Sequence, residues 1–334
     1  MRKVGFVGVD ERYHEFFSDN LSSETFEVIF YDDLENLDSE LEVLSVFTQN
    51  KVDEKLLSNL PKLRLIACRS TGYDNIDAEA IKKRGITVTN TPAYGSSSVA
   101  EYTFALTLAL SRNLPDVFRE TYSNEPDRLK EQGFDLFGKT IGVIGLGNIG
   151  KGVAQIAYGF GMRILAYDID EDEKLANWLK IEYTKDIDML LRESDVVTLH
   201  IPYTPENHHF IDIEKLNKMK SSALIINTAR GELIDTVGLV KALNRGEIQG
   251  AALDVVESEY LLDPDDLIEL VAHQDNAAKS TVRHALALLA LERMPHAIIT
   301  NHNAYNTVEA TDKINSMTVQ NITGFYAGAK IFTV

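Results

Sequence analysis

The sequence predicts an α/β protein built on parallel sheets, because short buried strands alternate with helical stretches along the chain. The clearest part is an apolar run at 141–144 that leads into a glycine turn, a helical pattern and a second apolar run ending at Asp168. With 334 residues the chain exceeds the usual size of one domain, so two domains are expected.

The glycine turn has the spacing Gly145-x-Gly147-x-x-Gly150. Gly145 permits a tight turn, Gly147 lets the backbone approach a pyrophosphate, and Gly150 lets the next helix pack closely on the strand. The helix N-terminus offers N–H groups and a positive dipole end to the phosphates. Asp168 lies eighteen residues beyond Gly150, where a carboxylate can accept hydrogen bonds from an adenosine ribose. The stretch therefore predicts a dinucleotide site.

Other elements follow from apolar runs and helical spacing. Strands are predicted at 3–9, 26–30, 43–47, 63–67, 85–88, 195–199, 223–227, 250–253 and 297–300. Helices are predicted at 77–84, 96–111 and 307–327, with one or two more within 260–296. The helix over 96–111 is apolar on most sides, which predicts burial between domains or subunits.

Composition limits the class of partner and the compartment. A formal net charge of −18 argues against nucleic acid or an anionic membrane as the main partner. The single cysteine, Cys68, excludes an internal disulfide, fits a reducing compartment and follows an apolar run, so burial in a strand is expected. The chain opens into a strand without a signal peptide, and no apolar run reaches the length of a membrane span. These features predict a cytoplasmic protein.

Polar residues follow several predicted strands, where ligands bind in open α/β sheets. They are His200, Thr228, Arg230, Asp254, Glu257, Glu259 and His302. An arginine can hold a carboxylate through two hydrogen bonds. A histidine backed by a carboxylate is an acid–base pair that works near neutral pH. Beside a nicotinamide, such a set implies hydride transfer at a carbonyl carbon with proton transfer at its oxygen.

Each of these residues also has an ordinary explanation. Arg230 could be a surface ion-pair partner, His302 a satisfied loop histidine, and Glu257 with Glu259 a solvated charge pair. The two histidines at 208–209 follow a proline-rich turn and are interpreted as surface residues. No tight ligand spacing supports a metal site at these histidines, so no metal is predicted. The shared location beside a dinucleotide site favours the functional interpretation of the others.

Seven blocks of sequence resemble the D-isomer-specific 2-hydroxyacid dehydrogenases, most closely the D-lactate dehydrogenase branch, and they cover nearly the whole chain. The blocks lie at 69–77, 91–94 with 99–101, 145–150, 200–202, 227–231, 254–259 and 300–302. The long segment between Glu259 and His302 favours the lactate-like branch over the phosphoglycerate-like one. The sequence departs from the family at Asn301, where proline is usual, and in 260–296, which looks longer and more helical than in relatives.

The resemblance implies a role for each matching residue. Arg230 would bind the substrate carboxylate and polarise the keto oxygen, His302 would donate the proton, and Glu259 would be its partner. The substrate would also contact backbone groups of Thr71 and Gly72 and a side-chain pocket formed by Phe47, Tyr94 and Tyr305. The NAD site would comprise Gly145, Gly147, Asn148, Ile149, Gly150, Asp168, His200, Ile201, Pro202, Asn207, Thr228, Ala229, Arg230 and Asp254.

The resemblance also implies the architecture: two Rossmann-like, doubly wound parallel-sheet domains with a cleft between them. Residues 1–97 and 300–334 would form the substrate domain and 98–299 the NAD-binding domain. The family resemblance further implies a homodimer.

Three functions are compatible with the sequence. The first is an NAD-dependent D-2-hydroxyacid dehydrogenase that reduces pyruvate to D-lactate. The second has the same chemistry on a larger 2-oxo acid, such as 2-oxoisocaproate or phenylpyruvate. The third is an NAD-sensing binding or corepressor protein on the same scaffold. The third is disfavoured because a sensor does not require the arginine and acid–base positions, all of which are occupied here.

Overall fold

The computed structural model describes residues 1–21, 24–121, 132–257, 276–329 and 331–333. The chain divides into two compact units, the first formed by 1–95 with 306–334 and the second by 96–305. The boundaries expected from the sequence lay at 97/98 and 299/300. Residues 300–305 belong instead to the second unit, where Thr300 N donates to Leu253 O at 2.9 Å and His302 N to Asp254 O at 2.8 Å.

The described part of the first unit contains a five-stranded parallel sheet in the order β2-β1-β3-β4-β5. Its strands are β1 (Arg2–Val7), β2 (Phe26–Tyr31), β3 (Leu41–Val46), β4 (Leu65–Cys68) and β5 (Thr87–Thr89). Its α-helices are α1 (His14–Asn20), α2 (Glu54–Ser58), α3 (Ala78–Arg84) and, at the end of the chain, α12 (Val308–Ala327). Apolar side chains cover both faces of the sheet, as a parallel sheet requires.

Two local features fix the first unit. Cys68 is buried in β4 as predicted, and burial raises the pKa of its thiol to about 12, which makes it an inert packing residue. The buried amide of Asn321 on α12 donates to Asn90 O at 2.8 Å and accepts from Phe332 N at 3.3 Å. This amide ties the last helix and the chain end to the segment after β5.

The described part of the second unit contains a seven-stranded parallel sheet in the order β12-β11-β10-β9-β6-β7-β8. Its strands are β6 (Thr140–Ile144), β7 (Arg163–Tyr167), β8 (Ile181–Tyr183), β9 (Val196–Leu199), β10 (Leu224–Asn227), β11 (Gly250–Leu253) and β12 (Ala297–Ile299). The winding direction reverses between β6 and β9, and ligands bind at such a switch point in doubly wound sheets.

The α-helices of the second unit cover both faces of this sheet. They are α4 (Ser96–Ser111), α5 (Leu114–Thr121), α6 (Asn148–Gly159), α7 (Glu173–Leu179), α8 (Ile187–Glu193), α9 (Ile213–Leu216), α10 (Thr236–Asn244) and α11 (Asn276–Leu291). None of the helices in the described ranges is long and apolar enough to cross a membrane.

Helix α4 has the bounds predicted for the apolar helix at 96–111. It packs inside the second unit, against α6 and strands β10 and β11. The two helices approach closely at Gly152, where a Cβ atom would lie 3.0 Å from Ala100 Cβ. Contacts within the second unit therefore account for the burial of α4. The sequence predicts that this burial comes from contacts between domains or subunits.

Candidate active site

The reversal of winding brings the ends of β6 and β9 together at Gly145 and His200. The backbone N of His200 donates to the carbonyl oxygen of Ile144, the last residue of β6, at 2.7 Å. Gly145 has φ +94°, and a Cβ atom there would lie 2.8 Å from the carbonyl atoms of His200. Only glycine satisfies both constraints, because the dihedral is in the left-handed region and the neighbouring strand leaves no space.

The other two glycines of the turn set the start of α6. Gly150, in the first turn of the helix, lies directly against the carbonyl oxygen of Gly145, so any side chain would overlap it. Gly147 is the N-cap of α6, and no atom lies within 4 Å of the position its Cβ would occupy. The helix N-terminus, with Asn148 and Ile149 as its first residues, is thus held at the end of β6 beside open space. This arrangement fits the diphosphate of a dinucleotide.

Asp168 follows β7 at the same edge of the sheet. One carboxylate oxygen accepts from Leu146 N in the glycine turn, and the other accepts from Asp170 N at 2.9 Å. An ionised carboxylate has about four acceptor positions, so these two bonds orient Asp168 and leave capacity for ribose hydroxyls. The residues present therefore fit the adenosine end of NAD as the sequence predicts.

His200 is a neutral side chain in the wall of this site. Its Nε2 lies 2.6 Å from Thr198 Oγ1, and burial lowers the pKa of the imidazole to about 3. Its Nδ1 is buried and has no hydrogen-bond partner among the described residues. Such a nitrogen is available to a bound ligand. The following loop is shaped by Asn207, whose side chain accepts from Thr204 N and donates to Pro202 O, both at 2.8 Å.

The loop after β10 presents Arg230. Asn227 Oδ1 accepts from Ala229 N at 3.0 Å, and its Nδ2 donates to Arg230 O at 2.8 Å, so one buried amide fixes the backbone of two residues. Thr228 Oγ1 lies 3.0 Å from Thr103 Oγ1 on α4. The guanidinium of Arg230 is partly exposed and donates from Nη1 to Ala229 O at 2.7 Å. Hydrogen bonds therefore fix the backbone that carries Arg230.

Gly231 joins this loop to the chain after β11. Its backbone lies against Val256 and Glu257 so closely that a Cβ atom would overlap their peptide group. The contact sets the distance between the arginine loop and the segment that follows Asp254. No sequence spacing predicts this contact, because its partners are 25 residues or more apart in the chain.

Asp254, which follows β11, accepts hydrogen bonds from the loop that follows β12. The residue is 1% exposed. Its Oδ1 accepts from Thr300 Oγ1 at 2.6 Å and from Asn303 N at 2.8 Å, and its Oδ2 accepts from Ala304 N at 2.8 Å. Its carbonyl oxygen accepts from His302 N at 2.8 Å. The loop that carries His302 is therefore wrapped around one buried carboxylate.

This wrapping places His302 in an uncommon backbone conformation. Its φ is 52°, in the left-handed region, where a residue other than glycine is held only by its surroundings. Tyr305 lies edge-on to the imidazole, with ring centroids 6.5 Å apart. The histidine and Arg230 thus follow β12 and β10, on either side of β11 and Asp254.

The acidic partners predicted for this histidine have different outcomes. Glu259 lies outside the described residues. Glu257 is 7% exposed, so its interpretation as a solvated charge is wrong. Its carboxylate lies against His208, His209 and His284. Only the two adjacent histidines of this cluster are recognisable from the sequence, because the other members come from distant segments.

The remaining predicted substrate residues belong to the first unit. Phe47 and Tyr94 are partly exposed. Thr71 and Gly72 follow β4 in a loop held by Thr71 Oγ1 donating to Thr91 O at 3.0 Å and by Ser70 Oγ donating to Gly72 O at 2.6 Å. These contacts use the hydroxyl of Thr71 and the carbonyl of Gly72; the resemblance assigns backbone groups of both residues to the substrate.

A doubly wound sheet with a glycine turn, an acid after the next strand, and an arginine and a histidine at later strand ends define a dinucleotide-dependent oxidoreductase. Residues 104–304 match the model of the D-isomer specific 2-hydroxyacid dehydrogenase, NAD binding domain. The chain belongs to this family of NAD-dependent oxidoreductases, so the resemblance found in the sequence is confirmed.

Curated relatives and solved structures agree on the family. The glyoxylate reductase of Pyrococcus horikoshii is 44% identical over 227 residues, which cover 66% of this chain and 68% of that protein. The D-lactate dehydrogenase of Aquifex aeolicus, complexed with NAD and lactic acid, has a TM-score of 0.82 and 36% identity, covering 97% of this chain and 96% of that one. The apo D-lactate dehydrogenase of Escherichia coli has a TM-score of 0.80 and 29% identity, covering 99% of both chains.

Asp168 should set the preference for NADH over NADPH, because its charge repels a 2′-phosphate. Asp168→Asn keeps an acceptor for Leu146 N and removes the charge. We expect the ratio of kcat/KM for NADH to that for NADPH to fall at least about tenfold, or ~1.4 kcal/mol. The control is Asp170→Asn, an exposed neighbour, which should leave the ratio unchanged. An unchanged ratio in Asp168→Asn would place the discrimination elsewhere.

The neutral, half-buried imidazole of His200, whose Nδ1 is fully buried, should make the second unit sensitive to acid. Its folded pKa of about 3 lies below the unfolded value near 6.5, so unfolding takes up a proton and stability is lost as pH falls from 6.5 towards 3. His200→Gln keeps a partner for Thr198. Between pH 7 and pH 5, the free energy of unfolding should fall by up to about 2 kcal/mol more in wild type than in the variant.

Denaturant titrations of wild type, His200→Gln and the control His296→Gln at both pH values measure this difference. The control should lose as much stability as wild type. Equal losses in wild type and His200→Gln would contradict the burial of a neutral imidazole.

Proposed function

We propose that the protein is a D-2-hydroxyacid dehydrogenase that reduces pyruvate to D-lactate. The observation that carries the proposal is the likeness to D-lactate dehydrogenase structures over both units, with 97% of the chain matched to the enzyme complexed with NAD and lactic acid. Curated relatives support the same chemistry on a shorter substrate, since the Pyrococcus horikoshii protein at 44% identity is a glyoxylate reductase. Glyoxylate is therefore the second candidate.

In this proposal Arg230 binds the substrate carboxylate and polarises the keto oxygen. A guanidinium matches a carboxylate with two parallel N–H donors, and it keeps its charge at every relevant pH. Bound NADH supplies a hydride to the carbonyl carbon. The developing negative charge on the oxygen is stabilised by the guanidinium. Asn227 fixes the backbone of the loop that carries this side chain before substrate arrives.

His302 donates the proton to the keto oxygen in reduction and accepts it in oxidation. Reduction therefore requires the protonated imidazole and oxidation the neutral one. Glu259 is retained as the partner of His302 on the family resemblance. Thr71 and Gly72 are proposed to bind the carboxylate through backbone groups. The three aromatic residues of the predicted pocket are proposed to enclose the substrate side chain. Dimerisation and cytoplasmic localisation stay predictions.

The substrate is tested by a panel of 2-oxo acids with NADH, scored by kcat/KM: glyoxylate, pyruvate, 2-oxoisocaproate and phenylpyruvate. One methyl group in an apolar pocket changes kcat/KM by roughly 10- to 200-fold. We expect pyruvate to exceed glyoxylate within that range, and the product to be oxidised only by a D-specific lactate dehydrogenase. A higher value for glyoxylate would make the second candidate correct. A higher value for either larger acid, or L-lactate as product, would reject the proposal.

Replacing the arginine by lysine tests the carboxylate clamp. Arg230→Lys keeps the positive charge and loses the planar fork, so kcat/KM for pyruvate should fall roughly 100-fold, about 3 kcal/mol. The Kd for NADH should change less than about threefold. Arg245→Lys, an exposed arginine of the same unit, is the matched control and should behave as wild type. Near-normal pyruvate reduction by Arg230→Lys would place the clamp on another residue.

A further inference from the structure

Three imidazoles of the second unit converge on the buried carboxylate of Glu257. His209 Nε2 lies 3.0 Å from Glu257 Oε2, and His208 Nε2 lies 3.9 Å from Oε1. His284 Nε2, on α11, lies 3.7 Å from Oε2. The four residues come from the loop after β9, the chain after β11 and α11. Their meeting is therefore a product of tertiary structure.

The cluster consists of groups that bind transition metals. The ligand atoms of His208, His209 and Glu257 all lie within 4.8 Å of one another. Imidazole nitrogen and carboxylate oxygen at 2.0–2.2 Å from a tetrahedral ion would be roughly 3.4 Å apart, so small side-chain rotations close the set around a metal. Nitrogen-rich sites of this kind suit Zn²⁺, Co²⁺, Ni²⁺ or Cu²⁺ and not Mg²⁺ or Ca²⁺.

The surroundings orient these ligands. The rings of His208 and His209 are stacked with centroids 3.9 Å apart, and His208 Nδ1 lies 3.4 Å from Tyr203 Oη, which leaves Nε2 directed at the carboxylate. A hydrogen-bond partner on the second imidazole nitrogen is typical of metal-binding histidines. His209 has φ 52°, and its backbone N donates to Glu232 O at 2.8 Å. The backbone thus holds a left-handed conformation that turns its ring towards Glu257.

Charge gives a physical reason for a cation. Glu257 is 7% exposed, and an ionised carboxylate buried to this extent needs a compensating charge. Its close neighbours on these elements are three imidazoles, which are neutral when they act as metal ligands. A protonated imidazole or a divalent ion would supply this charge, and the ion would use all four groups as ligands.

We propose that His208, His209, Glu257 and His284 form a transition-metal site, with Zn²⁺ as the preferred ion. His208, His209 and Glu257 are the three ligands that already lie within 4.8 Å of one another. His284, 3.7 Å from Glu257, would move in as the fourth ligand and close the coordination sphere, which is the arrangement of structural zinc. The ion would join the loop after β9 and helix α11 to the segment after β11. That segment also packs on Gly231, next to Arg230, so the metal would stabilise the second unit close to the arginine loop.

The test uses the full-length protein without a histidine tag, stripped with EDTA and dialysed. Zn²⁺ alone is the ligand, measured by calorimetric titration, by metal content after gel filtration, and by Tm. We expect one Zn²⁺ ion to bind per chain at a free Zn²⁺ concentration of about 10 µM or less. The ion should raise Tm by about 3 °C or more, because it binds the folded state.

Variants locate the site. His208→Gln removes an exposed ring and should weaken Zn²⁺ binding at least about tenfold while the protein folds normally. His209→Gln and His284→Gln should do the same, and the control His296→Gln should bind as wild type does. Co²⁺ bound to wild type should give the intense visible bands of tetrahedral coordination, and His208→Gln should weaken them.

Two results would overturn the proposal. The first is that wild-type protein binds less than one Zn²⁺ ion per chain at about 10 µM free Zn²⁺. The cluster would then be an ion-paired group of histidines around Glu257. The second is stoichiometric binding that is unchanged in His208→Gln and His209→Gln, which would place the metal elsewhere. Neither result bears on pyruvate reduction, so the site and the proposed function fail independently.

Discussion

The buried carboxylate of Asp254 is the contact on which the geometry of the candidate site depends. The carboxylate accepts hydrogen bonds from Thr300, Asn303 and Ala304. The backbone carbonyl oxygen of Asp254 accepts from His302 N. A carboxylate buried without these donors would cost several kcal/mol, so the loop and the acid stabilise each other. The left-handed backbone of His302 is one consequence. Asp254 therefore holds the loop that carries the proposed proton donor. Its place beside the cofactor stays a prediction.

Glycine contacts provide the second constraint, because they set the spacing of the elements around the nucleotide site. Gly145 lies against His200, Gly150 lies against Gly145, and Gly231 lies against the chain after β11. At each place a Cβ atom would separate two segments that now touch. The first two contacts align the start of α6 with the switch point between β6 and β9. The third holds the arginine loop against the segment that leads from Asp254 to Glu257.

Much of the fold was predictable, since apolar runs and glycine spacing are local signals. The helix at 96–111 and the strand–turn–helix at 140–159 have the predicted positions, and Cys68 is buried as expected. Contacts between distant segments were not predictable. For Glu257 a solvated charge is one alternative, because nothing in its neighbourhood along the chain marks His209 or His284 as partners. The family resemblance implies that Asp254 lines the cofactor site, and no local signal marks the loop 46 residues later that donates to it. The roles of Arg230, Glu259 and His302 stay predictions.

We propose that Asp254 affects catalysis by positioning His302, and a double-mutant cycle in kcat/KM for pyruvate reduction distinguishes this role from an independent one. Asp254→Asn puts an amide NH₂ against backbone donors, so we expect the His302 loop to shift and kcat/KM to fall roughly 100-fold, comparable to losing one preorganised donor. His302→Gln should cost more, as the loss of an acid catalyst does. If Asp254 works through His302, the double variant should have the same kcat/KM as His302→Gln alone. Losses that multiply in the double variant would contradict the account, because they would mean that the two residues act independently.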